Sequence, residues 1–131
     1  LEDWKNKKNS NYVEDFFRPK IQFDTAQFIS NYASSCIDIS DGLVKDLNSI
    51  CKLSKVGAII DINKIPIIND IEDLVYGDDY QLCFTCSTEN IRHIKDHNFY
   101  NIGIIQSNPK IEYMNNNKPV SFDKQGWDSF K

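Results

Sequence analysis

The chain has 131 residues, which fits one domain of ordinary size rather than a large multidomain enzyme. With 40% hydrophobic and 12% aromatic residues it can build a core without disulfides, so Cys36, Cys51, Cys83 and Cys86 read as reduced, buried thiols. A net charge of −4 argues against a nucleic-acid partner. The absence of any run near the ~20 apolar residues that span a bilayer, and of a secretory signal core after Leu1, argues against a membrane partner and makes the cytoplasm the expected location.

Residues 1–20 are polar and rich in Asn and Lys, and Arg18-Pro19 stops any helix there, so this stretch reads as a linker and short helix. Ala26, Ile29, Tyr32 and Ala33 fall at helical spacing, with Asp24 or Thr25 available as the cap. Cys36-Ile37-Asp38-Ile39 is a short β-prone run broken by Ser40-Asp41-Gly42. Leu43, Val44, Leu47, Ile50 and Cys51 then mark the inner face of a long helix. Alternation from Val56 to Ile62 predicts a partly buried strand that Pro66 ends.

Residues 69–75 are a short helical candidate, and Gly77-Asp78-Asp79 forms a second acidic turn before a strongly β-prone run at 80–86. A helix capped by Ser87 or Thr88 is expected to run to about Asn98. Strands follow at 100–105 and 111–114, with Asn115-Asn116-Asn117 turning the chain back into a strand at 120–122. The alternation predicts an α/β or α+β class with helices covering a mixed β-sheet.

Two motifs carry chemistry. In Ile37-Asp38-Ile39-Ser40-Asp41-Gly42-Leu43, two carboxylates three residues apart flank a hydroxyl at a helix start. Such hard oxygen ligands suit Mg²⁺, which takes one or two protein carboxylates along with water and phosphate oxygens. Ser40 and the first helical amides could also meet a phosphate oxygen. The plainer alternative is that Ser40 or Asp41 caps the helix and Gly42 eases the turn, which leaves Asp38 unexplained. In Tyr76-Gly77-Asp78-Asp79-Tyr80, adjacent aspartates repel unless a cation or donor satisfies them, although an ordinary turn before a strand also has this composition. If the two adjoining strand ends lie side by side, their carboxylates converge.

Other features point to packing. Cys83 and Cys86 have redox spacing but lie in a predicted strand, whose period of two aims them at opposite faces. His93 and His97 lack the glutamate of a zinc-protease helix and read as solvent-side residues. The terminal Gly126-Trp127-Asp128-Ser129-Phe130 is either a docked tail or the carrier of a ligand-stacking indole.

Taken together, the 37–43 motif, Gly-Asp-Asp-Tyr-Gln-Leu-Cys-Phe-Thr at 77–85, Val56-Gly57-Ala58, Ile65-Pro66, Ile102-Gly103-Ile104-Ile105 and Gly126-Trp127-Asp128-Ser129-Phe130 resemble the carboxy-terminal half of the thiamine-monophosphate kinase family. That family belongs to the aminoimidazole-ribonucleotide synthetase superfamily. The resemblance implies an α+β domain at 21–131, distantly ferredoxin-like, within an enzyme that moves the γ-phosphoryl group of ATP to thiamine monophosphate. It implies Asp38 and Asp41 as ligands of separate Mg²⁺ ions, Ser40 as a nucleotide contact, and Asp78 and Trp127 as contacts of the thiamine substrate. It also implies a missing amino-terminal domain and a homodimer in the full-length enzyme, and with so few carboxylates this chain alone is expected to be inactive. Tyr76 and Gln81 depart from the family pattern, which usually has glycine and glutamate there. The alternatives are a superfamily relative acting on another phosphate acceptor, and a non-catalytic metal- or nucleotide-binding module.

Overall fold

A computed structural model describes residues 21–66, 70–77, 80–123 and 126. The linker expected at 1–20, together with Asp78 and Trp127, lies outside the described residues.

The first described helix, α1 (Phe23–Ile29), is shorter than its apolar spacing predicted, and Gln22 takes the cap position in place of Asp24 or Thr25. Its C-terminal turn is tied off when the Ser30 N–H donates to the Ala26 carbonyl and the Tyr32 N–H to that of Ile29. The released chain enters β1 (Ala33–Asp38), which alternates between half-buried and exposed positions as a one-sided strand should. Ala33, expected in the helix, belongs to this strand.

β1 pairs antiparallel with β3 (Leu82–Cys86), placing Cys36 opposite Phe84, Ile37 opposite Cys83 and Asp38 opposite Leu82. The ladder continues past the strand ends, because the Ile39 N–H donates to the Gln81 carbonyl at 2.8 Å and the Tyr80 N–H to the Ile39 carbonyl at 2.9 Å. Between these strands run α2 (Leu43–Ser54) and β2 (Gly57–Asp61). A second sheet has the order β4-β2-β5-β6, where β4 is Gly103–Gln106, β5 is Ile111–Asn115 and β6 is Lys118–Val120. It is mixed: β2 runs antiparallel to β4 and parallel to β5, and β5 is antiparallel to β6. The expected mixed sheet is therefore present, and the described strands fall into two sheets rather than one.

The β5–β6 hairpin turns at Asn116 and Asn117, both left-handed at φ 49° and 61°. Asparagine tolerates that region better than most side chains, and the two-residue turn matches the twist of the strands it joins.

α2 buries Leu43, Val44, Leu47 and Cys51 against both sheets, in one core with Ala58, Ile60, Ile62, Leu74, Val75 and Tyr113. Tyr113 packs edge-on against Phe122 with ring centroids 5.0 Å apart. The short helical candidate before the second acidic turn is a 3₁₀ segment, Ile71–Val75, held by reciprocal caps. Asp70 accepts from the Ile71 N–H, and Asp73 accepts from the Asp70 N–H at 3.2 Å. The helix expected to reach Asn98 is only α3 (Ile91–Ile94), after a 3₁₀ turn at Thr88–Asn90.

Candidate functional site

β1 carries the first acidic motif to its carboxyl end. Asp38 sits at an outward position of the strand and is exposed. The chain then turns through Ser40, Asp41 and Gly42 into α2.

The helix cap is Gly42 itself, with φ 106°, and no side chain caps this end. Neither Ser40 nor Asp41 is consumed as the capping alternative supposed. Asp41 instead forms an ion pair with Lys45 at 2.8 Å, both side chains about 40% exposed. What holds the turn is Asp46, whose Oδ2 accepts the N–H groups of both Ser40, at 2.9 Å, and Asp41, at 3.0 Å. Asp46 is only 6% exposed. Its carboxylate engages two backbone amides of the turn, so the turn displays side chains rather than those two donors.

Asp46 lies outside both acidic motifs and is not singled out by their spacing. The signal was present: a carboxylate between Leu43, Val44 and Leu47 on the apolar face of a helix is out of place unless it is paired.

Val75, Tyr76 and Gly77, which lead into the second acidic motif, lie directly against the first turn. A Cβ built on Gly42 would come within 2.8 Å of the Val75 carbonyl carbon and 3.0 Å of the Tyr76 carbonyl oxygen. A Cβ on Gly77 would overlap the Ser40 carbonyl. The strand ends are side by side, and glycine permits the two backbones to touch, while Asp78 and Asp79, the carboxylates expected to converge there, lie outside the described residues. Tyr80, on the far side of Asp78 and Asp79, is left-handed at φ 50°, an uncommon conformation for an aromatic residue.

A third segment arrives from the end of the described chain. A Cβ on Gly126 would stand 2.6 Å from the Asp41 carbonyl oxygen and 2.5 Å from Lys45 Cβ, and Gly126 has φ 144°. The backbone at 75–77 and at Gly126, far apart in sequence, thus both abut the stretch from Ser40 to Lys45.

The donor set fits Mg²⁺ in part. Two aspartates and a hydroxyl frame one turn, and Mg²⁺ asks for no more than one or two carboxylates when phosphates and water supply the rest. Among the described residues there is no group of three or more His, Cys, Asp or Glu side chains that could hold a metal ion.

No protein-family model matches the chain. The thiamine-monophosphate kinase of Buchnera aphidicola subsp. Schizaphis graminum is 36% identical over 145 aligned residues, covering 96% of this chain and 45% of that protein. That of Pyrococcus horikoshii is 33% identical, covering 91% of this chain and 41% of its own. The chain is homologous to thiamine-monophosphate kinase over nearly all its length. It spans about 45% of the length of the first of these relatives. A solved structure described as "AaThiL complexed with AMPPCP and TMP" matches over 97% of this chain and 45% of that one, at 27% identity and a TM-score of 0.75. The thiamine-monophosphate kinase of Aquifex aeolicus matches over 92% of this chain with a TM-score of 0.70.

The two departures from the thiamine-monophosphate kinase pattern have visible roles. Gln81 serves the fold through its main-chain carbonyl, which any residue supplies. Tyr76 packs its carbonyl near Gly42 and leaves its side chain outside, with the residue 52% exposed.

Cys83 and Cys86 are free thiols, and neither is fully buried. Cys36 corrects the expectation that all four cysteines are buried, because it falls on the exposed side of the alternating strand β1. His93 and His97 are exposed as expected, yet each lies against an aromatic ring, Tyr32 at 5.2 Å and Phe28 at 4.0 Å. These contacts tie the 28–32 segment to the 93–97 segment, beyond the Ala33–Cys86 end of the β1–β3 ribbon. No helix among the described residues is long and apolar enough to cross a membrane.

Proposed function

We propose that this chain is the carboxy-terminal part of an ATP-dependent kinase that phosphorylates thiamine monophosphate. The terminal phosphoryl group passes from ATP to an oxygen of the acceptor's phosphate, giving ADP and thiamine diphosphate. The observation that carries this reading is the meeting of the 37–43 turn, the 75–77 segment and Gly126 at one place, in a chain homologous to such kinases. A structural relative described with AMPPCP and TMP adds support for a nucleotide and a thiamine phosphate as the ligands.

In this reading Asp38 and Asp41 hold Mg²⁺ ions, which neutralise phosphate charge, and Ser40 contacts the nucleotide. Asp78 and Trp127, which follow Gly77 and Gly126 in the sequence, contact the thiamine substrate. Phosphoryl transfer depends mostly on positioning and charge neutralisation, and carboxylates serve it by holding metal. Two such ligands are too few to offset a triphosphate and an acceptor phosphate together. The 131-residue chain alone is therefore inactive, and an amino-terminal domain supplies the rest.

The same reading takes residues 1–20 as a linker from that domain, the domain at 21–131 as distantly ferredoxin-like, and the intact enzyme as a cytoplasmic homodimer. A coupled ATP assay with thiamine monophosphate on the intact gene product tests it. Turnover that requires Mg²⁺ is expected. Binding of nucleotide without turnover would favour a non-catalytic module, and turnover only with another phosphate acceptor would favour a superfamily relative.

A further inference from the structure

We infer that Asp46 is a positioning residue for the metal-binding turn, acting through the backbone rather than by touching metal or substrate. The inference rests on the kinase reading for its consequence, though not for its geometry.

Asp46 lies in the first turn of α2, where the helix dipole favours negative charge, and the core surrounds it. A buried carboxylate is costly unless donors satisfy it. Here one oxygen collects the Ser40 and Asp41 N–H groups, which follow directly on Ile39 at the end of the β1–β3 ladder. The turn is thereby pinned from below by α2 and from the side by Gly77, whose backbone abuts the Ser40 carbonyl. Backbone fixed in this way sets where the side chains of Ser40 and Asp41 project and limits the freedom of Asp38, two residues upstream of Ser40.

Groups that orient metal ligands from behind commonly govern affinity by about 10- to 100-fold. Asp46 meets that description without being a ligand. Because it also satisfies two amides with the chain's own carboxylate, it leaves the turn suited to a cation rather than to a bare phosphate.

The test uses the intact gene product with Mn²⁺ as the probe, measuring its affinity by calorimetry, together with amide exchange at Ser40 and Asp41 followed by NMR. Asp46→Ala should accelerate exchange at those two amides while the rest of α2 stays protected, and weaken Mn²⁺ binding by about 10- to 100-fold. Asp46→Asn keeps an oxygen that can accept both N–H groups, so it should retain slow exchange and bind Mn²⁺ within about threefold of the parent. A folded Asp46→Ala protein with unchanged exchange at the two amides, or with parental Mn²⁺ affinity, overturns the inference. If the alanine variant does not fold, Asp46→Asn decides: slow amides with retained affinity support positioning, and slow amides with lost affinity overturn it in favour of a direct charge effect. Asp38→Asn serves as the reference for the metal reading. If it and Asp41→Asn both leave Mn²⁺ affinity untouched, the metal assignment fails, and amide exchange alone then judges whether Asp46 fixes the turn.

Discussion

The backbone of Gly77 lies against the carbonyl of Ser40 so closely that no side chain fits between them. This contact joins the two acidic turns, and it involves main chain on both sides, so neither partner can swing away as the tip of a long side chain could. Gly77→Ala should therefore force the turns apart, costing about 1–3 kcal/mol in stability as other overpacked sites do. In the intact gene product, activity with thiamine monophosphate should fall more than the melting temperature would suggest, since the displaced residues are those proposed to bind ligand. Thermal melting and the coupled assay on the same preparation check this. An alanine variant with parental Tm and rate would show that the turns need not touch.

Asp38 and Lys45 offer a paired test of metal binding. Asp38→Asn preserves shape while removing ligand charge, and the residue is exposed, so Tm should stay close to that of the parent. The rate at limiting Mg²⁺ should drop by about two orders of magnitude or more. Lys45 places a positive charge 2.8 Å from the Asp41 carboxylate, where it competes with any cation. Lys45→Met should raise Mn²⁺ affinity severalfold, with a stability change under about 1 kcal/mol because the pair is partly exposed. Parental affinity in both variants would remove Asp38 and Asp41 from the metal site.

Much of this arrangement was legible in the sequence because local chemistry and tertiary demand agree. Alternation at Val56 to Ile62 marked β2, the apolar stripe from Leu43 to Cys51 marked α2, and three successive asparagines marked the β5–β6 turn. Boundaries were less legible where two signals competed. Tyr32 and Ala33 continue a helical spacing, but pairing of Ala33 with Cys86 outweighs it. The division of strands between two sheets was hidden because strand partners far apart in sequence leave no local trace. Asp46 shows the same limit at the site. Its buried position can be read from periodicity, whereas its partners, the amides of Ser40 and Asp41, follow from the turn geometry.

The thiol of Cys83 is pushed up from its ordinary value near 9.0 to about 11, chiefly by burial, and also by the nearby Cys36 and Cys51 thiols and the Asp46 carboxylate. An acid whose pKa is higher in the folded state than in the unfolded chain favours folding below the unfolded value. Unfolded Cys83 loses its proton first, so this contribution is lost as pH rises through about 9 to 11 and is constant beyond. Denaturant melts between pH 8 and 11 should show falling stability, with a shallower fall in Cys83→Ala. Thiol labelling at pH 8 should find exposed Cys36 fast and buried Cys51 slow. Fast labelling of Cys51 in the native protein would contradict the packing of α2.

Trp127 follows directly on Gly126, and the Gly126 backbone is seated on Asp41 and Lys45. Whatever the indole contacts, its chain therefore starts beside the turn proposed to hold metal and nucleotide. A thiazolium ring carries positive charge, and an indole face attracts such a cation by about 0.5–2 kcal/mol depending on desolvation. Trp127→Ala in the intact gene product should raise the KM for thiamine monophosphate about tenfold, equivalent to ~1.4 kcal/mol, and leave the KM for ATP nearly unchanged. Gly126→Ala provides the contrast. Its new Cβ would press on the Asp41 carbonyl and the Lys45 side chain at a φ that L side chains rarely adopt. That variant should impair ATP and thiamine monophosphate alike, because it displaces the turn rather than a single ring. Equal losses for both substrates in Trp127→Ala would mean that the indole serves the docking of the tail. No loss for either would leave it outside substrate binding.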